Sequence, residues 1–304
     1  MSPELICSDA RTLPPLDESL YTLGTDELAF FKDQTRITGN EELKGHIIGV
    51  QKKAYKLYGY QCIRRFGFVR LKISRQPIYQ RVLQLSKERP GALLLDIGCC
   101  FGNDIRKAVS DGWPVQHALA SDLRTGFWEY GHELFRSTPE TFPAAFIAGD
   151  AFDPAMILPR EPFYIDSPPI HPRPTELHSL ISLNPLQGHI TAIHASSFFH
   201  LFDGNKQSEL ARQMATLLST ETGSVIFGSH NGQPTKGYRP DPLNFRGYNQ
   251  FCHSPDSWRD LWDGQIFKKG SVRVEAELLE DERADLAAAD GVIFYLLKWS
   301  VTRL

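Results

Sequence analysis

The sequence predicts an α/β domain of the doubly wound type: a seven-stranded sheet, parallel except for one strand, with a helical segment ahead of it. Three observations predict it. First, residues 92–95 and Ile97 are apolar around a single acid, Asp96, and run into Gly98 and Gly102. That is how a strand buried on both faces enters a glycine turn and a helix. Second, acids stand at the ends of three successive predicted strands, as Asp96, Asp122 and Asp150. Third, the linker between the last two strands, 272–279 and 292–301, is too short and too acidic for a buried crossover helix, so this pair should be antiparallel.

Taken in order, residues 1–24 are Pro-rich and weakly patterned and should form an extended arm. A short helix begins at Thr25, with Leu28, Phe30 and Phe31 on its apolar side. A longer one follows from Asn40, which can cap it; Leu43, Ile47, Val50, Ala54 and Leu57 recur at helical spacing. Residues 62–72 mix aromatic and basic side chains without a period, and a helix over 76–89 leads to the first strand. The division expected is an arm over 1–24, a helical lid over 25–90 and a ligand-binding domain over 91–304. Within that domain a helix over 103–110 precedes a strand over 115–121, which ends in Asp122-Leu123. A helix over 126–135 and a strand over 144–148 lead to Asp150-Ala151-Phe152. Residues 154–188 hold eight of the twenty prolines, and so long a connection should cover a pocket. Strands over 190–197 and 224–228 flank a helix over 207–218. An unpatterned connection, 229–253, then meets a helix capped at Ser254-Pro255-Asp256.

Composition excludes several classes. With 304 residues and a net charge of −3, the chain offers no electrostatic case for nucleic acid. Its five cysteines (Cys7, Cys62, Cys99, Cys100, Cys252) form no C-x-x-C pair, and its ten histidines no metal motif, so no metal is expected. Neither a basic-then-apolar leader nor a membrane-length apolar run is present. The expectation is a cytoplasmic protein in a reducing compartment.

The strand ends carry the chemistry. Gly98 and Gly102 allow a tight turn and close approach of backbone to a ligand, with Cys100 between them. Asp122, 24 residues after Gly98, would accept both hydroxyls of a ribose. Asp150 would accept from an adenine amino group, with Ala151 beside it and Phe152 or Leu123 against the ring. The turn lacks the third glycine of the dinucleotide fingerprint, which disfavours the alternative of a nicotinamide-dependent oxidoreductase. Arg64 and Arg65 are candidate ligands of a carboxylate, or surface charges on a connector. His194, His200 and His230 border the carboxyl ends of the fourth and fifth strands. Each is either a functional imidazole or a packed one. Tyr58 and Phe66, with Tyr55 and Tyr60, suit a hydrophobic lid or a core.

Beyond these patterns, five stretches resemble a known family: Phe31-Lys32-Asp33-Gln34-Thr35, Ile63-Arg64-Arg65-Phe66-Gly67-Phe68, Leu95-Asp96-Ile97-Gly98-Cys99-Cys100-Phe101-Gly102-Asn103-Asp104, Gly149-Asp150-Ala151-Phe152-Asp153 and His194-Ala195-Ser196-Ser197-Phe198-Phe199-His200-Leu201-Phe202. It is the fungal family of class I S-adenosylmethionine (SAM) dependent methyltransferases that includes carboxyl O-methyltransferases of meroterpenoid biosynthesis. The resemblance spans roughly residues 25–300. It implies the class I Rossmann-like fold, SAM as cofactor, a small-molecule acceptor from secondary metabolism and a homodimer. In that light Asp96, Gly98, Cys100, Gly102, Asp122, Leu123, Asp150, Ala151, Phe152 and His194 are the expected SAM contacts. Tyr58, Arg64, Arg65 and Phe66 are the expected acceptor contacts, with residues 25–72 and 154–188 as cover. A carboxylate acceptor needs no general base; a phenol or alcohol would need one, for which His200 and His230 are the candidates.

Overall fold

Residues 13–239, 249–280 and 293–304 are described in the computed structural model of the protein. The chain opens with α1 (Thr25–Thr35), α2 (Asn40–Leu57), the single turn α3 (Gln61–Arg64) and α4 (Tyr79–Glu88). Then come β1 (Leu94–Ile97), α5 (Asn103–Ser110), β2 (Ala118–Asp122), α6 (Thr125–Leu134) and β3 (Ala145–Ala148). After a long connection follow β4 (Ala192–His194), α7 (Gly204–Leu217), β5 (Val225–Gly232) and a small hairpin of β6 (Gly237–Arg239) and β7 (Gln250–Cys252). The chain closes with α8 (Pro255–Trp262), β8 (Val272–Glu280) and β9 (Tyr295–Arg303).

One seven-stranded sheet runs in the order β3-β2-β1-β4-β5-β9-β8. The pairs among β1 to β5 are parallel, and β9 runs antiparallel to both its neighbours, so it alone breaks the direction of the sheet. The switch point lies between β1 and β4, whose outgoing connections lead to opposite sides, and the ends of the central strands open there. The stretch between Glu280 and Ile293, including the start of the strand expected from 292, lies outside the described residues.

Alternation along the buried strands divides the core in two. Leu93, Leu95 and Ile97 face α7 and α8, packing with Leu210, Met214 and Trp258. Leu94 faces the other way with Ala118 and Ala120, against Val82 and Leu85 of α4 and Ile105 of α5. A third cluster belongs to the N-terminal helices, where Leu43, Ile47, Val50 and Ala54 of α2 are buried with Phe127 and Leu134 of α6. At roughly 1.5–3 kcal/mol for each large side chain removed from water, that stripe is what docks the helical segment onto the sheet domain.

Some local expectations change. Gly39, not Asn40, is the N-cap of α2, and it makes no side-chain cap bond; the acids of the first turn, Glu41 and Glu42, suit the helix dipole instead. Helix α4 starts at Tyr79, because Ile73–Arg75 forms a separate 3₁₀ turn ahead of Pro77. Residues 154–188, expected as part of the cover over the strand ends, leave β3 with Met156 packed at Gly149 and then turn back toward the amino edge of the sheet. Leu177, Leu183 and Leu186 pack into the core beside Leu210 and Met214 of α7. Arg173 hydrogen-bonds the carbonyl of Gly91, just before β1. The Phe163 carbonyl accepts from Arg303 Nη2 at 2.6 Å, at the end of β9 beside the start of β5. The Arg173 and Phe163 contacts lie toward the amino edge of the parallel strands. The prolines prevent a crossover helix, yet the sheet face that such a helix would cover still has to be buried, and these leucines bury it.

Candidate active site

Three residues in alternate positions of the turn after β1 take the left-handed conformation: Gly98 (φ 72°), Cys100 (φ 53°) and Gly102 (φ 70°). A Cβ on Gly98 would stand 2.9 Å from the Phe198 ring, and one on Gly102 would stand 2.5 Å from Trp128. Cys100 bears the strain without being glycine, at a cost of about 1–2 kcal/mol, and its N–H is fixed in return by a carboxylate. That carboxylate is Asp122: Oδ2 accepts from Cys100 N–H at 2.9 Å and Oδ1 from Arg124 N–H at 3.0 Å. The side chain therefore joins the loops after β1 and β2. Burial raises its pKa, and the two N–H donors oppose that. Asp122 remains partly exposed, and Leu123 beside it is an exposed apolar side chain. After β3, Asp150 is exposed and caps its own turn by accepting from Phe152 N–H at 3.0 Å, while Ala151 is buried. Phe152 meets Phe202 edge-on at 4.9 Å, and Phe202 lies 5.5 Å from Phe198. The fold thus gathers Gly98, Cys100, Gly102, Asp122, Leu123, Asp150 and Phe152 at the ends of β1, β2 and β3.

Asp96 and His194 belong to a layer beneath that surface. They are register partners on β1 and β4, turned toward the α4–α5 face. His194 is fully buried; its Nδ1 is 2.8 Å from Asp96 Oδ1 and its Nε2 is 2.8 Å from Ser196 Oγ. A carboxylate only accepts, so Nδ1 carries a proton. The chain continues: Ser196 Oγ accepts from Ser229 N–H at 3.2 Å, and Ser229 Oγ accepts from Gln76 Nε2 at 3.2 Å. This corrects the expectation of a ligand contact for His194, whose polar atoms are taken up inside the sheet. Nearby, Asn103 Nδ2 donates to the Arg70 carbonyl at 2.6 Å and Asp104 Oδ1 accepts from Ile73 N–H at 2.8 Å. The Asn-Asp pair that follows the turn therefore staples residues 70–73 to α5, and burial raises the Asp104 pKa.

The N-terminal segment meets this site on the side of Asp122 and the glycine turn. The guanidinium carbon of Arg124 lies 4.0 Å from the Tyr58 ring centroid, and Tyr58 is 4.3 Å from Tyr60. Burial pushes the Tyr60 hydroxyl up to about 12, and the neighbouring Arg124 opposes that rise. The thiols of Cys62 and Cys100 lie beside each other, and their interaction lowers the pKa of Cys62 and raises that of Cys100. Phe66 is a correction: it has no exposed surface and packs edge-on against Tyr21 at 5.3 Å, so it belongs to the core. Arg64 points its Nε at the Pro15 carbonyl, 2.9 Å away, and ties down the N-terminal arm instead of facing the strand ends. Arg65 is the partly buried C-cap of α3.

Of the two candidate bases, His200 lies partly exposed on the 3₁₀ turn Phe199–Leu201, just past β4. His230 does not reach the surface. Strand alternation puts it on the α8 side, where it is 1% exposed, with Trp258 at 4.7 Å and Phe199 at 5.5 Å. Its Nδ1 accepts from Trp299 Nε1 at 2.9 Å. Burial holds its pKa well below the usual histidine value, so it is neutral with its one proton on Nε2. A nitrogen that already bears the proton cannot take another, which removes His230 as a base.

Three site residues carried no signal in the sequence because they fall in the unpatterned connection 229–253. Gln250 Oε1 accepts from Asn231 Nδ2 at 2.8 Å and from Arg239 Nη2 at 2.9 Å. Gln250 Nε2 donates to the His200 carbonyl at 3.3 Å. This amide links the ends of β4 and β5 to the hairpin.

Residues 16–69 match the family model described as the meroterpenoid methyltransferase N-terminal domain. The chain is similar to O-methyltransferase phiE of a fungal species (strain ATCC 74256), with 32% identity over 80% of this chain and 72% of that protein. It is also similar to the Asnovolin E/Chermesin D methyltransferase nvfJ of Aspergillus novofumigatus, with 28% identity over 87% and 84% of the two chains. Among solved structures, a SAM-dependent methyltransferase from Mesorhizobium loti overlaps 76% of this chain and all of that one, at TM-score 0.42 and 15% identity. No helix among the described residues is long and apolar enough to cross a membrane.

Proposed function

The chain belongs to the fungal meroterpenoid methyltransferase family and is a SAM-dependent methyltransferase; from that premise we propose that it methyl-esterifies a carboxylate of a terpenoid intermediate. The residues at the strand ends fit the cofactor. Asp122 has lone pairs left on each oxygen and is open to a ribose, and the exposed Leu123 offers an apolar face for a purine. Asp150 and Phe152 stand where the base would extend, and the left-handed turn from Gly98 to Gly102 would lie along the amino-acid end. When bound, SAM supplies a methyl group already activated on a sulfonium. The protein's own work is to hold the acceptor oxygen in line with that methyl and to keep water away. Phe152, Phe198 and Phe202 form the apolar wall for that exclusion.

One observation carries the choice of a carboxylate: His230 has its free nitrogen tied to Trp299 and cannot serve as a base. A carboxylic acid of pKa about 4 is ionised near neutral pH and needs none. The resemblance to a family that includes carboxyl O-methyltransferases points the same way. A second reading, a phenol or alcohol acceptor, is favoured by the partial exposure of His200 past β4, where an imidazole could take the proton. In both readings residues 25–90 cover the cofactor side of the site.

Incubating the protein with methyl-labelled SAM and a panel of terpenoid carboxylic acids, phenols and alcohols tests the proposal. The expected product is a methyl ester, with turnover retained in His200→Ala. Labelled ethers only, with turnover lost in His200→Ala, would establish the second reading instead.

A further inference from the structure

The β6–β7 hairpin carries a buried cation with no counter-charge among the described residues. Arg239 is 8% exposed. Its Nη2 donates to Gln250 Oε1 at 2.9 Å, and its guanidinium carbon lies 4.6 Å from the Phe294 ring centroid. Both Nε and Nη1 are buried and have no hydrogen-bond partner among the described residues. A guanidinium taken out of water with two of its nitrogens idle is poorly compensated unless an anion or a set of acceptors meets it. Its planar fork of donors matches a carboxylate.

Its place in the fold says which anion. Arg239 is the register partner of Gln250. Through Gln250 it is tied to Asn231 at the end of β5 and to the carbonyl of His200 past β4. It therefore sits at the acceptor side of the site, away from the Asp122 side that fits the nucleoside. We infer that Arg239 binds the carboxylate of the acceptor, with Gln250 holding the guanidinium in place, and so selects acids over alcohols. This rests on the carboxylate reading above. The guanidinium keeps the acid ionised and fixes one oxygen, and the other oxygen forms the new bond to the methyl carbon. The carbon–sulfur bond breaks with its electron pair staying on sulfur, and no proton moves.

The rival is a purely structural arginine, for instance one paired with Asp241, which lies outside the described residues. Abietic acid and the alcohol obtained by reducing its carboxyl serve as probes, followed by a panel of other polycyclic terpenoid acids. Wild-type protein, Arg239→Gln and Arg239→Lys are compared for SAM affinity, thermal melting, acid binding by calorimetry, and kcat and KM. For Arg239→Gln the expected result is SAM affinity within about twofold of wild type and a KM and Kd for the acid raised at least about tenfold, as for loss of a charge-assisted pair. Arg239→Lys should recover part of that loss, since it keeps the charge but not the fork. Unchanged acid KM in a folded Arg239→Gln, or an equal loss of SAM and acid binding with a lowered melting point, overturns the assignment while leaving the carboxylate reading intact. If wild-type protein binds and esterifies none of the acids, the carboxylate reading fails first and this role falls with it.

Discussion

With one oxygen accepting from Cys100 N–H and the other from Arg124 N–H, the Asp122 carboxylate presets the spacing between the loops after β1 and β2 before any ligand arrives. Asp122→Ala should therefore remove both a ribose acceptor and the anchor of a strained turn. The expected loss of SAM affinity is about 2–3 kcal/mol, or roughly 30- to 150-fold in Kd. Asp122→Asn keeps one acceptor oxygen and should lose less. Calorimetry with SAM checks both, and an Asp122→Ala variant of wild-type affinity would refute the ribose assignment. At the same scale, three expected ligand residues have other work. His194 is held between Asp96 and Ser196, Phe66 fills core, and His230 is bound to Trp299. Each is a residue type whose role depends on which face of an element it takes, and a one-residue change of facing separates a ligand contact from a packed group.

Among the elements, the run from the end of α2 through α3 to Ile73 is strapped to the loops after β1 and β2, the side proposed for the cofactor. It is tied by Tyr58 and Tyr60 at Arg124, by the Cys62–Cys100 contact and by the staples from Asn103 and Asp104. The aromatic and basic composition of this run suggests a cover for the acceptor, but its contacts are with the turn and with the residue two places after Asp122. Tyr58→Ala should consequently weaken SAM binding by roughly 3- to 10-fold through loss of the ring under Arg124, with kcat at saturating SAM little changed. Phe66→Ala should instead lower the melting temperature, by a core-cavity loss of about 3–5 kcal/mol, with no selective effect on either ligand. Calorimetry and thermal melts on the two variants separate a strap from a core. Selective loss of acceptor turnover in Tyr58→Ala, with SAM affinity intact, would restore the acceptor-cover role.

For the molecule as a whole, the aromatic cluster under β5 and β9 buries two histidines in neutral form, and this makes stability depend on pH. Burial lowers the His253 pKa to about 4 and that of His230 well below its usual value. The unfolded chain takes up these protons near pH 6.5 and the folded protein does not, so stability is full above pH 6.5 and falls as pH drops toward 4. His253 alone corresponds to a loss on the order of 3 kcal/mol across that window. The raised carboxyls Asp104 and Asp122 act in the opposite sense, so the informative quantity is a difference between proteins. Urea midpoints of His253→Gln should fall less steeply from pH 7 to pH 5 than those of wild type. Parallel slopes would mean that His253 is protonated in the folded state. The sequence by itself determined the seven strands of the large sheet, its one antiparallel exception, the glycine turn and the acids carried by β1, by β2 and by the loop after β3. Apolar runs, glycines and strand-end acids are local signals, readable within a dozen residues. It also carried the family, through the motif around Cys99-Cys100-Phe101-Gly102-Asn103-Asp104. Only the tertiary structure decided which histidine is sealed, which edge of the sheet residues 154–188 occupy, and that Arg239, Gln250 and Asn231 meet past β5. Those outcomes depend on contacts between segments far apart in the chain, made by residues with no periodic pattern of their own, so they existed only once the sheet had brought the segments together.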